Sequence, residues 1–378
     1  MDNFQIFAKP IGAQCNLACG YCYYLEKQGL YPDKKTFHMS DGLLEEYIIQ
    51  HIRASAGPDI FFSWHGGEPT LAGLKFFQQV VALQKKHLPK NFRLLNGIQT
   101  NGTLLDDDWC QFLKKENFIV GISLDGPEEL YSVHRFRKDG RSSFAEVIRG
   151  FQLLKKYEIP CEILCVVNST NVRYPLETYR FFKSLNVNFL TFIPLVEKPD
   201  PINGKISERT VPSKAFGEFL CTIFDEWVSS DIGNIKIQIV EEALRTAFNL
   251  EHSLCIFKST CGGVPVVEYN GDFYSCDHYV DQEHLVGNIA QTTLVQLLES
   301  EQQSEFGNAK HDSLLDYCLR CEVLTMCNGA CPKDRFLSTP DGEPGLNYLC
   351  EGYRLFFNHC KPFVEQVAEA WKASKTNI

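Results

Sequence analysis

The first two-thirds of the chain alternates short apolar runs with amphipathic ones, and this alternation limits the fold more than any other feature. Strand-length runs cover Gln5–Lys9, Ile60–Trp64, Phe92–Gln99, Ile119–Leu124, Glu162–Val167 and Asn188–Ile193. Helical spacing covers Asp41–Ala54, Leu74–His87, Asp106–Glu116, Phe144–Tyr157 and Pro175–Leu185. Strand-then-helix units in series predict a parallel sheet with helices outside it, because right-handed crossovers return each helix to the sheet. Six units fall short of a closed eight-fold barrel, so the expected α/β form is a partial (β/α)6 barrel. Chemistry then belongs at the carboxyl ends of the strands. Pro199–Pro212 reads as a surface excursion, and helices near Ala215–Val228 and Glu241–Leu250 lead out of the barrel. From Cys255 the pattern turns to short strands, turns and cysteines. The expected domains are residues 1–230, a helical linker 231–254, a cysteine-rich domain 255–350 and a C-terminal helix 351–378.

Directly after the first strand stand Cys15, Cys19 and Cys22, spaced C-x3-C-x2-C, with Tyr21 before the last. Three thiolates on one loop can hold three irons of a four-iron cluster and leave the fourth iron open to a ligand that is not protein. A structural zinc loop would need a fourth Cys or His close by. Tyr23–Phe37 supplies neither, which disfavours zinc.

The next strand ends in His65-Gly66-Gly67-Glu68-Pro69-Thr70. Paired glycines let a backbone approach a ligand, and the carboxylate after them can receive an ammonium group. Strands three and four end in Gln99-Thr100-Asn101-Gly102 and Ser123-Leu124-Asp125-Gly126-Pro127, polar groups suited to a barrel mouth and equally to plain turns. The C-terminal third carries Cys255, Cys261, Cys276, Cys318, Cys321, Cys327, Cys331 and Cys350. Eight thiolates suffice for two fully ligated four-iron clusters, or for two four-cysteine zinc sites. Asp277 follows Cys276, and there a carboxylate could take a proton from a substrate. A neighbouring cluster's negative charge would be expected to raise its pKa. Cys110, Cys161, Cys165, Cys221 and Cys360 read as small packing residues.

The loop Lys9-Pro10-Ile11-Gly12-Ala13-Gln14-Cys15-Asn16-Leu17-Ala18-Cys19-Gly20-Tyr21-Cys22-Tyr23-Tyr24-Leu25 resembles the radical S-adenosylmethionine (SAM) signature. It is most similar to that of the anaerobic sulfatase-maturating enzymes, which convert a cysteine or serine of a sulfatase to Cα-formylglycine. The cysteine-rich tail resembles the SPASM domain of peptide-modifying members. The resemblance implies SAM and three [4Fe–4S] clusters. Cys15, Cys19 and Cys22 would hold the SAM-binding cluster. Cys255, Cys261, Cys276 and Cys331 would hold the nearer auxiliary cluster, and Cys318, Cys321, Cys327 and Cys350 the farther one. It further implies SAM contacts from Tyr21, Gly66, Gly67, Glu68, Ser123, Arg135 and Leu195, a catalytic base at Asp277, and substrate contacts from Tyr24 and Gln99. A 5′-deoxyadenosyl radical would take a Cβ hydrogen, and the second electron would leave toward the auxiliary clusters. The expected partners are an unfolded sulfatase segment of the type C/S-x-P/A-x-R and a flavodoxin- or ferredoxin-like reductant.

A formal charge of −10 provides no basic surplus for general nucleic-acid binding. No apolar run is long enough to span a bilayer and no export signal opens the chain, so a cytoplasmic protein is expected, with its sixteen cysteines not serving as a disulfide framework. Two rivals to sulfatase maturation stand. One is a SPASM-type maturase that crosslinks or epimerises another peptide. The other is a non-enzymatic iron–sulfur electron carrier or zinc-bearing interaction protein.

Overall fold

The computed structural model describes residues 4–32, 37–200 and 202–376, in two compact units. The first comprises residues 1–123, 132–161 and 262–307. Its strands are β1 (Phe7–Lys9), β2 (Asp59–Trp64), β3 (Arg93–Thr100) and β4 (Phe118–Ser123), adjacent and parallel in chain order. The helices α1 (Asp41–Ala54), α2 (Leu74–His87) and α3 (Asp107–Lys115) alternate with them, and α4 (Phe144–Lys156) follows β4. Ser40 and Asp106 accept the Leu43 and Trp109 amides as N-caps, fixing where α1 and α3 begin. Tyr47, Phe62, Trp64, Phe77 and Phe118 form a buried aromatic layer between strands and helices.

The sequence pattern placed nearly every one of these elements within a residue or two. It missed an extension of the same sheet. Val266–Glu268, Asp272–Tyr274 and Leu285–Asn288 are strands, the first of them parallel to β1 and the other two antiparallel continuations. Runs of three or four residues are too short to show a period of two. Their register sets Lys9 opposite Glu268.

The second unit comprises residues 124–131, 162–261 and 308–378. It contains β5 (Cys161–Val167, from its second residue), β6 (Phe189–Pro194) and β7 (Lys236–Ile237), again parallel. Helices α5 (Pro175–Ser184), α6 (Ser213–Ser230) and α7 (Gln238–Ala247) follow in order, and α8 (Glu301–Asp312) begins in the first unit and ends in this one. The C-terminal helix α9 (Cys350–Thr376) crosses α6 where Gly217 meets Gly352, so closely that a Cβ on Gly352 would lie 2.2 Å from the Ser213 carbonyl oxygen. Beside that crossing, Phe224 and Trp227 pack on Phe363. Cys110, Cys165 and Cys360 are fully buried, whereas Cys161 and Cys221 are half-buried. Among the described residues no helix is long and apolar enough to cross a membrane.

Candidate active site

The three-cysteine loop leaves the end of β1 and is tied down on two sides. Ala18 and Gly20 donate to the carbonyls of Phe136 and His134 at 2.9 and 2.8 Å. On the other side, Gly67 and Glu68 donate to the Gly12 and Gln14 carbonyls at 2.9 and 2.8 Å. A Cβ on Gly67 would sit 2.0 Å from Gln14 O, so glycine is required here by the approach of the cysteine loop itself. The Asn101 amide donates to Asn16 Oδ1 at 2.9 Å and reaches Cys15 Sγ at 3.8 Å, which joins the end of β3 to the first thiol.

Glu68 is tied into the protein by more bonds than the sequence pattern shows. It is fully buried, and its oxygens accept from the Thr70 amide and hydroxyl, the Thr100 hydroxyl and the Asn101 amide at 2.6–3.0 Å. Three of these donors converge on Oε1 and one reaches Oε2, which keeps an acceptor site open. Glu68 thus braces the glycine turn against β3 and can still receive an ammonium group at Oε2. Burial raises its carboxyl against the lowering effect of those bonds. Ser123 Oγ accepts from Gln99 Nε2 at 3.1 Å, and the Arg135 guanidinium lies 5.6 Å from the centre of the Tyr21 ring. Tyr21, Gly66, Gly67, Glu68, Ser123 and Arg135 all belong to the first unit. Leu195 belongs to the second, at the end of β6, with its amide bonded to Val167 O at 2.8 Å.

Asp277 is brought to the cysteine loop from both of its flanks. Lys9, the last residue of β1, places its ammonium 2.5 Å from Asp277 Oδ1, and the Tyr23 hydroxyl, one residue past Cys22, donates to Oδ2. Burial alone would raise the Asp277 carboxyl, but the charges of Lys9, His278 and His65 together outweigh it and hold the group well below the usual carboxylate range. The sequence expectation considered a cluster's charge and left Lys9 out. Lys9 is 2 % exposed, lies 4.0 Å over the Tyr24 ring and faces Glu268 as well. The Tyr24 hydroxyl donates to Glu268, so it is already engaged within the protein. Burial pushes Glu268 up to about 7. Lys9, Tyr23 and Glu268 had been assigned no role; a lysine closing an otherwise apolar strand was the available signal for the first.

In the second unit the thiols of Cys318, Cys321, Cys327 and Cys350 line one cavity with Leu324, Leu346 and Arg354. Cys255, Cys261 and Cys331 form another neighbourhood in that unit, while Cys276 lies in the first unit beside Tyr23. Burial, with repulsion from neighbouring thiols, pushes Cys15 and Cys327 up to about 12 and Cys261, Cys331 and Cys350 to about 11. Grouped thiols that cannot ionise together unaided suit metal binding, because the metal's charge stabilises the thiolates. Among the described residues no three His, Cys, Asp or Glu side chains gather around a single ion, which a four-iron cluster, placing each thiolate on its own iron, does not require.

Two family profiles match the chain: the radical SAM superfamily over residues 10–182 and an iron–sulfur cluster-binding domain, SPASM, over residues 255–322. The serine-type anaerobic sulfatase-maturating enzyme of Bacteroides thetaiotaomicron is 43 % identical over 373 residues, covering 95 % of this chain and 90 % of that one. The chain belongs to the anaerobic sulfatase-maturating enzymes. A cysteine-type member from Clostridium perfringens is 35 % identical over 370 residues, covering 97 % and 99 % of the two chains. A solved structure of native anSMEcpe with AdoMet and a peptide bound superposes with a TM-score of 0.86 at 34 % identity, over 97 % of this chain and 99 % of that one. This sulfatase-maturating enzyme therefore has the α/β radical SAM fold with a C-terminal SPASM domain. Its cofactors are SAM and [4Fe–4S] clusters, so the iron–sulfur alternative prevails over zinc and the electron-carrier rival falls away.

Proposed function

We propose that the enzyme oxidises a cysteine or serine of a sulfatase polypeptide to Cα-formylglycine with Asp277 as the base that takes the side-chain proton. The observation that carries this reading is the convergence of Lys9 and Tyr23 on Asp277, which fixes a carboxylate beside the loop of Cys15, Cys19 and Cys22. Those three thiols would hold the SAM-binding cluster. Cys318, Cys321, Cys327 and Cys350 would hold one auxiliary cluster, and Cys255, Cys261 and Cys331, completed by Cys276 as the family resemblance implies, the other. Bound SAM and its cluster supply the hydrogen-abstracting chemistry at the substrate's Cβ.

The chain's own residues do the rest. Gly66 and Gly67 open backbone for SAM, with Tyr21, Glu68, Ser123, Arg135 and Leu195 as further contacts; Glu68 also braces the turn. Gln99 and Tyr24 border the substrate, Gln99 through the amide it shares with Ser123. Asp277 accepts the proton from the substrate Sγ or Oγ, which a carboxylate kept ionised by Lys9 is able to do. The substrate is an extended sulfatase segment of the type C/S-x-P/A-x-R, and a flavodoxin- or ferredoxin-like protein supplies reducing electrons in the cytoplasm. Asp277→Asn tests the assignment. It should leave SAM binding within about twofold and lower aldehyde formation by about 10²–10⁴-fold, the usual worth of a positioned base. Product at the wild-type rate would remove Asp277 from the role.

A further inference from the structure

The second unit holds a buried lysine and a half-buried arginine that carbonyls orient and no carboxylate pairs with. Lys310, near the end of α8, is 1 % exposed, and its ammonium donates to the Cys255 and Ile256 carbonyls at 3.0 and 2.9 Å. The groups facing it that a metal would turn anionic are the thiols of Cys261, Cys331 and Cys255. Arg335 donates to the carbonyls of Gly329, Lys310 and Asn328 and to the Ser313 hydroxyl, at 2.8–3.4 Å. Its thiol neighbours come from both groups, Cys318 and Cys327 from one and Cys261 and Cys331 from the other. Among the described residues neither cation is ion-paired with a carboxylate, and the adjacent Asp334 is held by Lys333 at 2.5 Å. Carbonyl oxygens direct a buried charge without cancelling it, so each cation calls for an anion at the thiols it faces. Burial lowers both cations' pKa values and the thiols push them back up.

We infer that Lys310 and Arg335 are the counter-ions of the two auxiliary clusters and set their reduction potentials, Arg335 acting on both and Lys310 on the one held by Cys255, Cys261 and Cys331. Reduction adds an electron to an already anionic cluster. A fixed positive charge in a water-poor surrounding stabilises that added electron and raises the potential. The inference rests on the proposed assignment of the tail cysteines to two clusters.

The test uses the full chain, reconstituted anaerobically, with Cys15, Cys19 and Cys22 replaced by alanine so that only auxiliary clusters report. Iron and sulfide are counted, and each cluster's potential is read by electron paramagnetic resonance during a redox titration. The signal lost on Cys318→Ala identifies the cluster outside Lys310's reach. Lys310→Met should lower one potential and leave the other in place. Arg335→Met should lower both, and Arg335→Lys should keep both near their starting values. If Arg335→Met fails to hold iron, Lys310→Met decides: a shift of one cluster alone supports the inference, and no shift overturns it. Loaded Arg335→Met protein with either potential unmoved also overturns it. A parent chain holding fewer than two clusters overturns the ligand assignment itself, an outcome that iron content separates from a failed counter-ion role.

Discussion

His51 shows at the residue scale how burial fixes a proton inventory. It is 1 % exposed, bonded to the Tyr47 hydroxyl at 3.1 Å and stacked on Phe62, and burial pushes its imidazole down to about 3. An unfolded chain protonates histidine near pH 6.5, so below that pH the unfolded state takes up a proton that the folded state refuses. Stability contributed by neutral His51 is present above about pH 6.5 and is lost as the pH falls toward about 3, at up to about 1.4 kcal/mol per pH unit. Melting temperatures of wild type and His51→Gln between about pH 7 and about pH 5 should therefore converge, the wild type falling faster. Parallel curves would contradict this. Lys9 is the opposite case, a buried charge kept because Asp277 and Glu268 surround it. The grouping of Cys318, Cys321, Cys327 and Cys350 at one cavity was legible because spacing carries it. The role of Lys9 was not, because it arises from Lys9 facing Glu268 across two strands far apart in sequence.

At the scale of elements, the glycine turn after β2 is the part most sensitive to a single carbon. Gly67→Ala would drive a Cβ to 2.0 Å from Gln14 O and 2.7 Å from Ala13 O, backbone atoms that can yield only by moving the cysteine loop. The expected result is loss of one cluster's iron with the auxiliary clusters retained, measured by iron content and cluster absorption. Full iron in Gly67→Ala would show that the loop tolerates the displacement. The strands and helices up to β6 could be read from sequence because each is long enough to show its period and several carry caps such as Ser40 and Asp106. The three short strands from Val266 to Asn288 could not, since tertiary pairing with β1 and not local pattern makes them strands. Glu68 shows the same limit in a motif. Its identity was legible, but its four hydrogen bonds depend on Thr70, Thr100 and Asn101 meeting in space.

In the whole molecule, cluster loading and chemistry at the substrate are separable. Cys15→Ala should abolish SAM cleavage while the auxiliary iron stays bound, because Cys318, Cys321, Cys327 and Cys350 line a cavity of their own and Cys255, Cys261 and Cys331 group apart from the loop. Parallel loss of all iron would mean that the clusters depend on one another for assembly. The central claim is formylglycine synthesis, and it is tested most directly with anaerobically reconstituted enzyme, SAM and a strong reductant. Two peptides differing only in Cys or Ser at the target position are supplied, and peptide mass is followed together with 5′-deoxyadenosine. The account predicts an aldehyde on the target residue, with the two rates giving the substrate preference. 5′-Deoxyadenosine released with both peptides unchanged, or neither product from protein whose clusters are confirmed, would contradict it.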